Sequence, residues 1–520
     1  MDVHRSSLVL SALLYVASSA AYSFSGVLTA YGMGSSLRSQ SAAAPPAGSD
    51  PAPDSGVRAI GRPTESHTTF LEEPHNHAAQ PYVDTGGARI NIEGLPAGAG
   101  SVSGAAGHAL YVQVADGALA IYDKLHGRRQ FGPAAVASMF GAPGRSAAID
   151  ACRWRGAPGA VIVHDQFTDR WIVSYRVALR DHLERPSYYQ CLAVSAGADA
   201  AGAYYRYAID MKNAWGGPQY FDDPTLAIWP GALYLSFNLF EGSAGRYLGP
   251  RVCGVDRQAL SNGVNAAIRC RDAGKDIGSL TPATWSGAPH ANSVPPLPLL
   301  SLGASGNSLQ LLRFSFSSAR FGQAVTLPVA PFATAGSATL IAQSPSGPGL
   351  APMADRIAPQ AMYRHGAAAP ALYANHSVRL PDGRIGIRWY QIDAPLGAAR
   401  VLQQGTLGAG PDSRWMGAIG VDKAGNIAIG YNTASSDTAP GWRYTGRSAG
   451  DRSSSMQSEE VIVSGSGVDT QGEIIARASG SLTLDPADEC TFWATQRYVA
   501  VTGAATWRTR IASFRFRSCP

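Results

Sequence analysis

The sequence predicts an all-β protein, a seven-bladed β-propeller of four-stranded antiparallel blades. Three observations predict it. A pattern of apolar strand, tight polar turn and second apolar strand returns from His108, Ala160, Thr225, Leu297, Gln360, Gly417 and Ser481. Its spacing averages about 62 residues, the range of repeat architectures, and all-β units of that size correspond to propeller blades. Charged residues are only 15% of the chain and 58 of 520 residues are glycine, a strand-and-turn composition. No segment sustains a 3.6-residue apolar period between caps, so no long helix is expected.

Taken in order, the chain opens with His4 and Arg5, an apolar run from Leu8 and small residues through Ala21. This is the layout of a secretory signal peptide over 1–22, and the run is short for a bilayer span. The expected location is therefore secreted or periplasmic, with no stable membrane insertion once the leader is removed. No cysteine precedes Cys152, which excludes a lipidated cysteine just behind the leader. Residues 23–85 are rich in Pro, Ser, Ala and Gly and read as a disordered linker. His67, Glu72, Glu73, His75 and His77 lie in it, but nothing around them builds a rigid site, so neither a metal nor a cofactor is expected.

The body, 86–520, is read as the propeller. The hairpins above are taken as the inner two strands of each blade. Tyr188–Ser195 and Ala203–Ile209 supply the outer strands of the second blade, and Val252–Asp256 and Ala266–Cys270 those of the third, on alternation and aromatic content. Ala88–Ile92 is expected to pair with the last blade and close the ring, removing an exposed edge. Asp116-Gly117, Asp382-Gly383 and Gly425-Asn426 are hairpin turns, because these residues accept positive φ. Asp165 and Asp169 flank another turn and are expected to bond their own backbone. The six cysteines imply disulfides in an exported chain. On the blade map each consecutive pair falls within one blade, giving Cys152–Cys191, Cys253–Cys270 and Cys490–Cys519. None has the C-x-x-C spacing of a zinc site.

Function is expected where loops gather on the rigid scaffold, at the channel mouth fed by the segments leading into the inner strands. Those segments supply Asp222, Asp223, Asp355 and Asp412, the arginines Arg356, Arg414 and Arg477, and His290 as their histidine. Arg153 and Arg155 precede the second hairpin. A guanidinium fork suits a ligand carboxylate or sulfate, and paired carboxylates suit acid/base work at a glycosidic bond. The same groups also serve as ion pairs tying neighbouring blades. Tyr247, Tyr431, Trp442 and Tyr498 offer a rim of rings for sugar faces or a protein surface. In the Arg-Trp pairs at 153–154, 170–171, 388–389 and 414–415, strand alternation places Trp between blades and Arg toward water or the channel. The net charge of +5 is small and scattered, which excludes a nucleic-acid footprint. Nucleophile-elbow, zincin, P-loop and dinucleotide motifs are absent from the sequence.

His164–Trp171, Tyr188–Ser195, Ser413–Gly417 and Cys490–Trp493 resemble segments of exported bacterial propeller proteins without an assigned activity, a resemblance that covers about 105 to 520. The layout of Asp and Arg around a mouth is also similar to that of sialidases. The sialidase turn motif S-x-D-x-G-x-T-W is missing, however, and only Ala504–Trp507 matches its tail. No catalytic role is therefore carried over. The expectation is a monomeric exported propeller that binds a glycan or an extracellular protein at the channel mouth. A glycan-cleaving hydrolase or lyase using the same groups, and a structural surface protein, are the alternatives.

Overall fold

The computed structural model describes residues 23–39, 83–98, 101–141, 146–154, 157, 159–180, 186–211, 219–222, 224–241, 245–287, 294–335, 339–365, 369–452, 454–471, 480–504 and 506–520. The segment 1–22 expected to be a signal peptide, the tract His67–His77, Asp223, His290 and Arg477 lie outside them.

The chain is a β-propeller of antiparallel blades, most of them four-stranded. The innermost strands are β1 (Val102–Ala106), β2 (Val161–Asp165), β3 (Thr225–Trp229), β4 (Thr281–Ser286), β5 (Ala361–Arg364), β6 (Ser413–Val421) and β7 (Ser481–Leu484). Each contacts the next, and β7 contacts β1, so the inner strands form a closed ring. From each, the chain steps outward through hairpins, as in β2, Arg170–Arg180, Pro186–Ser195 and Tyr204–Asp210. The exception to antiparallel order is between β4 and β5, which pair in parallel from Ala283↔Ala361 to Ser286↔Arg364 and fuse their blades into one nine-stranded sheet.

The core lies between blades, which is why middle strands are buried on both faces. Ile427–Ala434 and Thr491–Val499 are buried throughout. Six tryptophans, Trp171, Trp229, Trp389, Trp415, Trp442 and Trp493, are buried in these seams. Trp229, Trp285 and Tyr363 meet with centroids 4.9 to 5.1 Å apart where the third, fourth and fifth blades converge. At the first hairpin Asp116 and Gly117 both have positive φ (48° and 76°), the geometry of a two-residue turn.

Two inner strands differ from the sequence reading. In the first blade the hairpin from His108 forms the second and third strands, behind β1, and in the fourth the strand from Leu297 stands second, behind β4. The segment carrying His290 therefore leaves β4 rather than leading into it.

The start of the chain also differs. Ser23–Leu28, assigned to the linker by composition, pairs antiparallel with Ala266–Asp272 and extends the third blade outward. The chain then runs along the second blade, where the Tyr31 and Gly34 amides donate to the main-chain oxygens of Arg206 and Tyr204. Ile90–Glu93 pairs with Trp507–Arg515 and forms the outer strand of the last blade.

Disulfides join Cys152–Cys191, Cys253–Cys270 and Cys490–Cys519. Cys253 and Cys270 sit directly opposite each other on adjacent strands. The first bridge ties the helix Ala147–Trp154 to the second blade, and the third fixes the C-terminus to the last. Among the described residues no helix is long and apolar enough to cross a membrane.

Candidate functional site

A cavity of about 190 Å³ runs between the inner strands of six blades. β1, with the sequence Val-Ser-Gly-Ala-Ala, gives it a wall of small residues. A Cβ on Gly104 would lie 2.1 Å from the Tyr111 hydroxyl, so that position is closed to a larger side chain. Val161, Val163, Leu226, Ile228, Met362 and Leu484 provide apolar surface. Ser103, Thr225, Thr284, Ser286, Gln166, Gln360, His164 and the indole of Trp285 provide its polar and aromatic points. Among the described residues no carboxylate, lysine or arginine lines it.

Part of this polar lining staples the ring. The Ser481 hydroxyl is 2.8 Å from both the amide and the oxygen of Gly104, joining β7 to β1. Ser103 does the same for Ile162, joining β1 to β2. Gln360 brackets Leu482 by both main-chain groups, accepting from its amide at 3.1 Å. That bond links the fifth blade directly to the seventh, and no residue of β6 lines the cavity. Sequence reasoning missed this lining, because it looked to the loops that lead into the inner strands rather than to the strands themselves. The signal was there in the small residues Ser103–Ala106.

At one end the channel adjoins a smaller cavity of about 50 Å³, with Thr225 and Pro359 lining both. Three of the residues singled out in the sequence meet here. Asp222 is buried and accepts from the amide and Nδ2 of Asn238, each at 2.7 Å. Arg356 forks onto Asp355 at 2.8 and 3.1 Å and lies 3.6 Å from Asp222. Burial opposes the Arg356 charge, and the two carboxylates overcome that opposition and hold its pKa above the usual value.

Asp412 and Arg414 form a separate cluster that lines neither cavity. Arg414 forks onto Glu459, with Nη2 at 3.0 Å, and Arg443 bridges Glu459 at 3.1 Å and Asp412 at 3.2 Å. The Tyr431 hydroxyl donates to Glu459 at 2.6 Å. Burial works against the Glu459 charge, yet Arg414, Tyr431 and Arg443 hold its carboxyl below the usual range.

At the opposite end of the channel, His164 is 2.8 Å from Asp169 and packs against Trp171 at 4.7 Å. The His164 bond holds the Asp169 carboxyl low. Trp285 stacks on His365 at 5.2 Å. Asp165 accepts from its own turn at Phe167 and Thr168 and also holds Arg257 at 2.9 Å. Among the described residues no group of three or more His, Cys, Asp or Glu side chains is placed to hold a metal ion.

The expected aromatic rim is not a rim. Tyr431 and Trp442 are buried strand residues, Tyr247 donates to the Ile277 oxygen at 3.0 Å, and Tyr498 donates to Glu93 at 2.8 Å. Trp171, Trp389 and Trp415 pack between blades as alternation implies, but Arg388 and Arg414 are buried as well. Alternation turns them into the seam on the other side of the strand, where Gln404 and Glu459 receive them.

No family model and no curated protein matches the chain. Among solved structures it is similar to a protein of unknown function from Dyadobacter fermentans, at 11% identity and TM-score 0.36 over 68% of this chain and 94% of that one. It is similar to a xylan beta-1,4-xylosidase from Bacillus halodurans at 9% identity and TM-score 0.33, over 83% and 97%. An alpha-L-arabinanase from Penicillium chrysogenum, complexed with arabinobiose, gives 8% identity and TM-score 0.27, over 68% and 91%. Likenesses at these scores assign no residue and no activity.

Proposed function

We propose that this protein is an exported binding protein that takes the end of a neutral glycan into its central channel. The uncharged lining of that channel carries the reading. Hydroxyls, amides, one imidazole and one indole set in an apolar wall suit the hydroxyls and C–H faces of a sugar, whereas an anionic ligand would meet no lysine or arginine among the described lining residues. A cavity of about 190 Å³ is below the size of most whole-ligand pockets, so it suits a chain end. Hydrolysis calls for two carboxyl groups flanking the bond. Asp222 and Asp355 are instead committed to Asn238 and Arg356 outside the channel. Export is supported by the leader-like start and by three disulfides.

The test is calorimetric titration against neutral and acidic oligosaccharides, with Thr284→Phe as a channel-filling variant. Thr284 is half-buried and lines the cavity. Binding of a neutral glycan that weakens about tenfold or more in the variant, at little cost in Tm, is expected. Glycan binding indifferent to Thr284→Phe, or confined to acidic glycans, overturns the reading, and turnover of any glycan replaces it with the hydrolase.

A further inference from the structure

We propose that the small cavity beside the channel is a binding site for a compact cation. Asp222 and Arg356 are its charged lining among the described residues, and Arg356 is already paired with Asp355 beside it. Asn238 gives an independent sign. Its Nδ2 donates to Asp222 and to Ser279, which fixes the orientation of the amide. The opposite orientation would set two oxygens against each other. Asn238 Oδ1 is thereby left buried with no hydrogen-bond partner, on a residue that is only 4% exposed and lines the cavity.

A buried acceptor without a donor calls for an explanation, and a bound water, ion or ligand group is one. Oxygen is the chemistry of the remaining polar wall, from the hydroxyls of Thr225, Ser236 and Ser279. Hard cations select oxygen ligands. The volume of about 50 Å³ exceeds what a single water needs and holds an ion with part of its hydration shell. An anion is disfavoured, because Arg356 is already spent on Asp355 in a two-bond fork.

The same chemistry has two sources. One is a free ion such as Ca²⁺, Mg²⁺, Na⁺ or K⁺. The other is the ammonium of an amino sugar arriving by the channel, which rests on the glycan reading, whereas the free ion does not. The test uses the whole protein after chelator treatment and dialysis, with Tm and calorimetry read against each of the four ions, and against glucosamine with glucose as its control. Saturable binding of at least one cation is expected, about tenfold weaker or absent in Asp222→Asn.

That variant is chosen because it is nearly isosteric. It removes the charge while its amide oxygen can still accept from the Asn238 main-chain amide, and the Arg356–Asp355 fork remains. A Tm somewhat below that of the wild type is expected without added cation, because Arg356 loses its second carboxylate. Ser236→Ala, which removes one hydroxyl, is expected to weaken binding several-fold. Glucosamine binding that Thr284→Phe blocks identifies the channel as the route, while metal binding that survives it identifies a free ion. No saturable effect from any of these cations, or binding that Asp222→Asn retains, overturns the proposal. Failure of neutral glycans to bind leaves the metal result untouched, so the two readings fail separately.

Discussion

Arg206 donates to the main-chain oxygen of Tyr31 at 3.0 Å while its other Nη reaches the Phe140 oxygen at 2.8 Å. A buried guanidinium on the outer strand of the second blade thus clasps the stretch around Tyr31 that follows Ser23–Leu28. Arg206→Ala is expected to leave these carbonyls without donors, at a cost of about 1–3 kcal/mol. Hydrogen exchange should show it locally, with faster exchange at Tyr31, Gly34 and Leu37 and unchanged protection in the middle strands. Equal exchange in the variant would mean that strand pairing alone holds the segment.

His376 predicts a pH dependence. It is buried between Phe332 and Tyr390, with Nε2 2.9 Å from the Tyr390 hydroxyl and Nδ1 3.0 Å from the Ser377 oxygen. Burial, helped by the Arg388 charge, pushes its pKa down from 6.5 to about 3, against a smaller opposing effect of the Ser377 bond. As pH falls the unfolded chain takes this proton first. Stability is therefore full above about 6.5 and is lost progressively toward 3, by up to about 1.4 kcal/mol per pH unit. His376→Phe is expected to flatten urea-unfolding free energy between pH 7 and 5, above the carboxylate range. An unchanged slope would count against this assignment.

Arg414→Ala is expected to act on stability rather than on a ligand. It strips the two-bond partner from Glu459, leaving Arg443 and Tyr431 as partial compensation. A loss of about 2–3 kcal/mol follows, at or below the low end for a broken buried pair. Because the Glu459 pKa is depressed in the fold, its contribution is present above its unfolded value near 4.5 and is lost as pH falls below it. The Tm difference between wild type and variant should therefore shrink in acid. Weakened glycan binding at unchanged Tm would instead return Arg414 to the binding site.

Ring closure yields a count and a weak point. We expect an experimental structure to show seven blades with β7 beside β1, and six or eight would overturn the grouping. Ile92 pairs with Ile511 in the closing strand, and Ile92→Pro removes its amide. A stability loss of about 2 kcal/mol or more is expected from denaturant unfolding.

Hairpin alternation made the propeller legible, and the errors have physical causes. Val102–Ala106 carries no β-branched run beyond Val102, and its burial comes from neighbouring blades, so nothing local marks it as a strand. Thr281–Ser286 contains Pro282, which argues locally against a central strand but stands just before the parallel pairing with β5 begins at Ala283. Ser23–Leu28 directly follows the apolar run and small residues that end at Ala21, and its composition matches the linker. The convergence of Asp222, Asp355 and Arg356 could be read from the repeat, whereas the partners that use up the charges could not. Glu459 lies 45 residues from Arg414 and Asn238 lies 16 from Asp222, on strands whose register only the fold sets.

The outer strands at the start of the chain impose an order on its maturation. Ser23–Leu28 cannot settle until Ala266–Asp272 has been synthesised, and Ile90–Glu93 must wait for Trp507–Arg515. A nascent chain emerging amino end first therefore carries Ser23–Leu28 unpaired until the third blade is made, and Ile90–Glu93 unpaired until Trp507–Arg515 follows. Until then these strands are open templates for stray pairing. Shielding during that interval, more than the stability of the finished ring, is expected to set how much native protein a cell recovers.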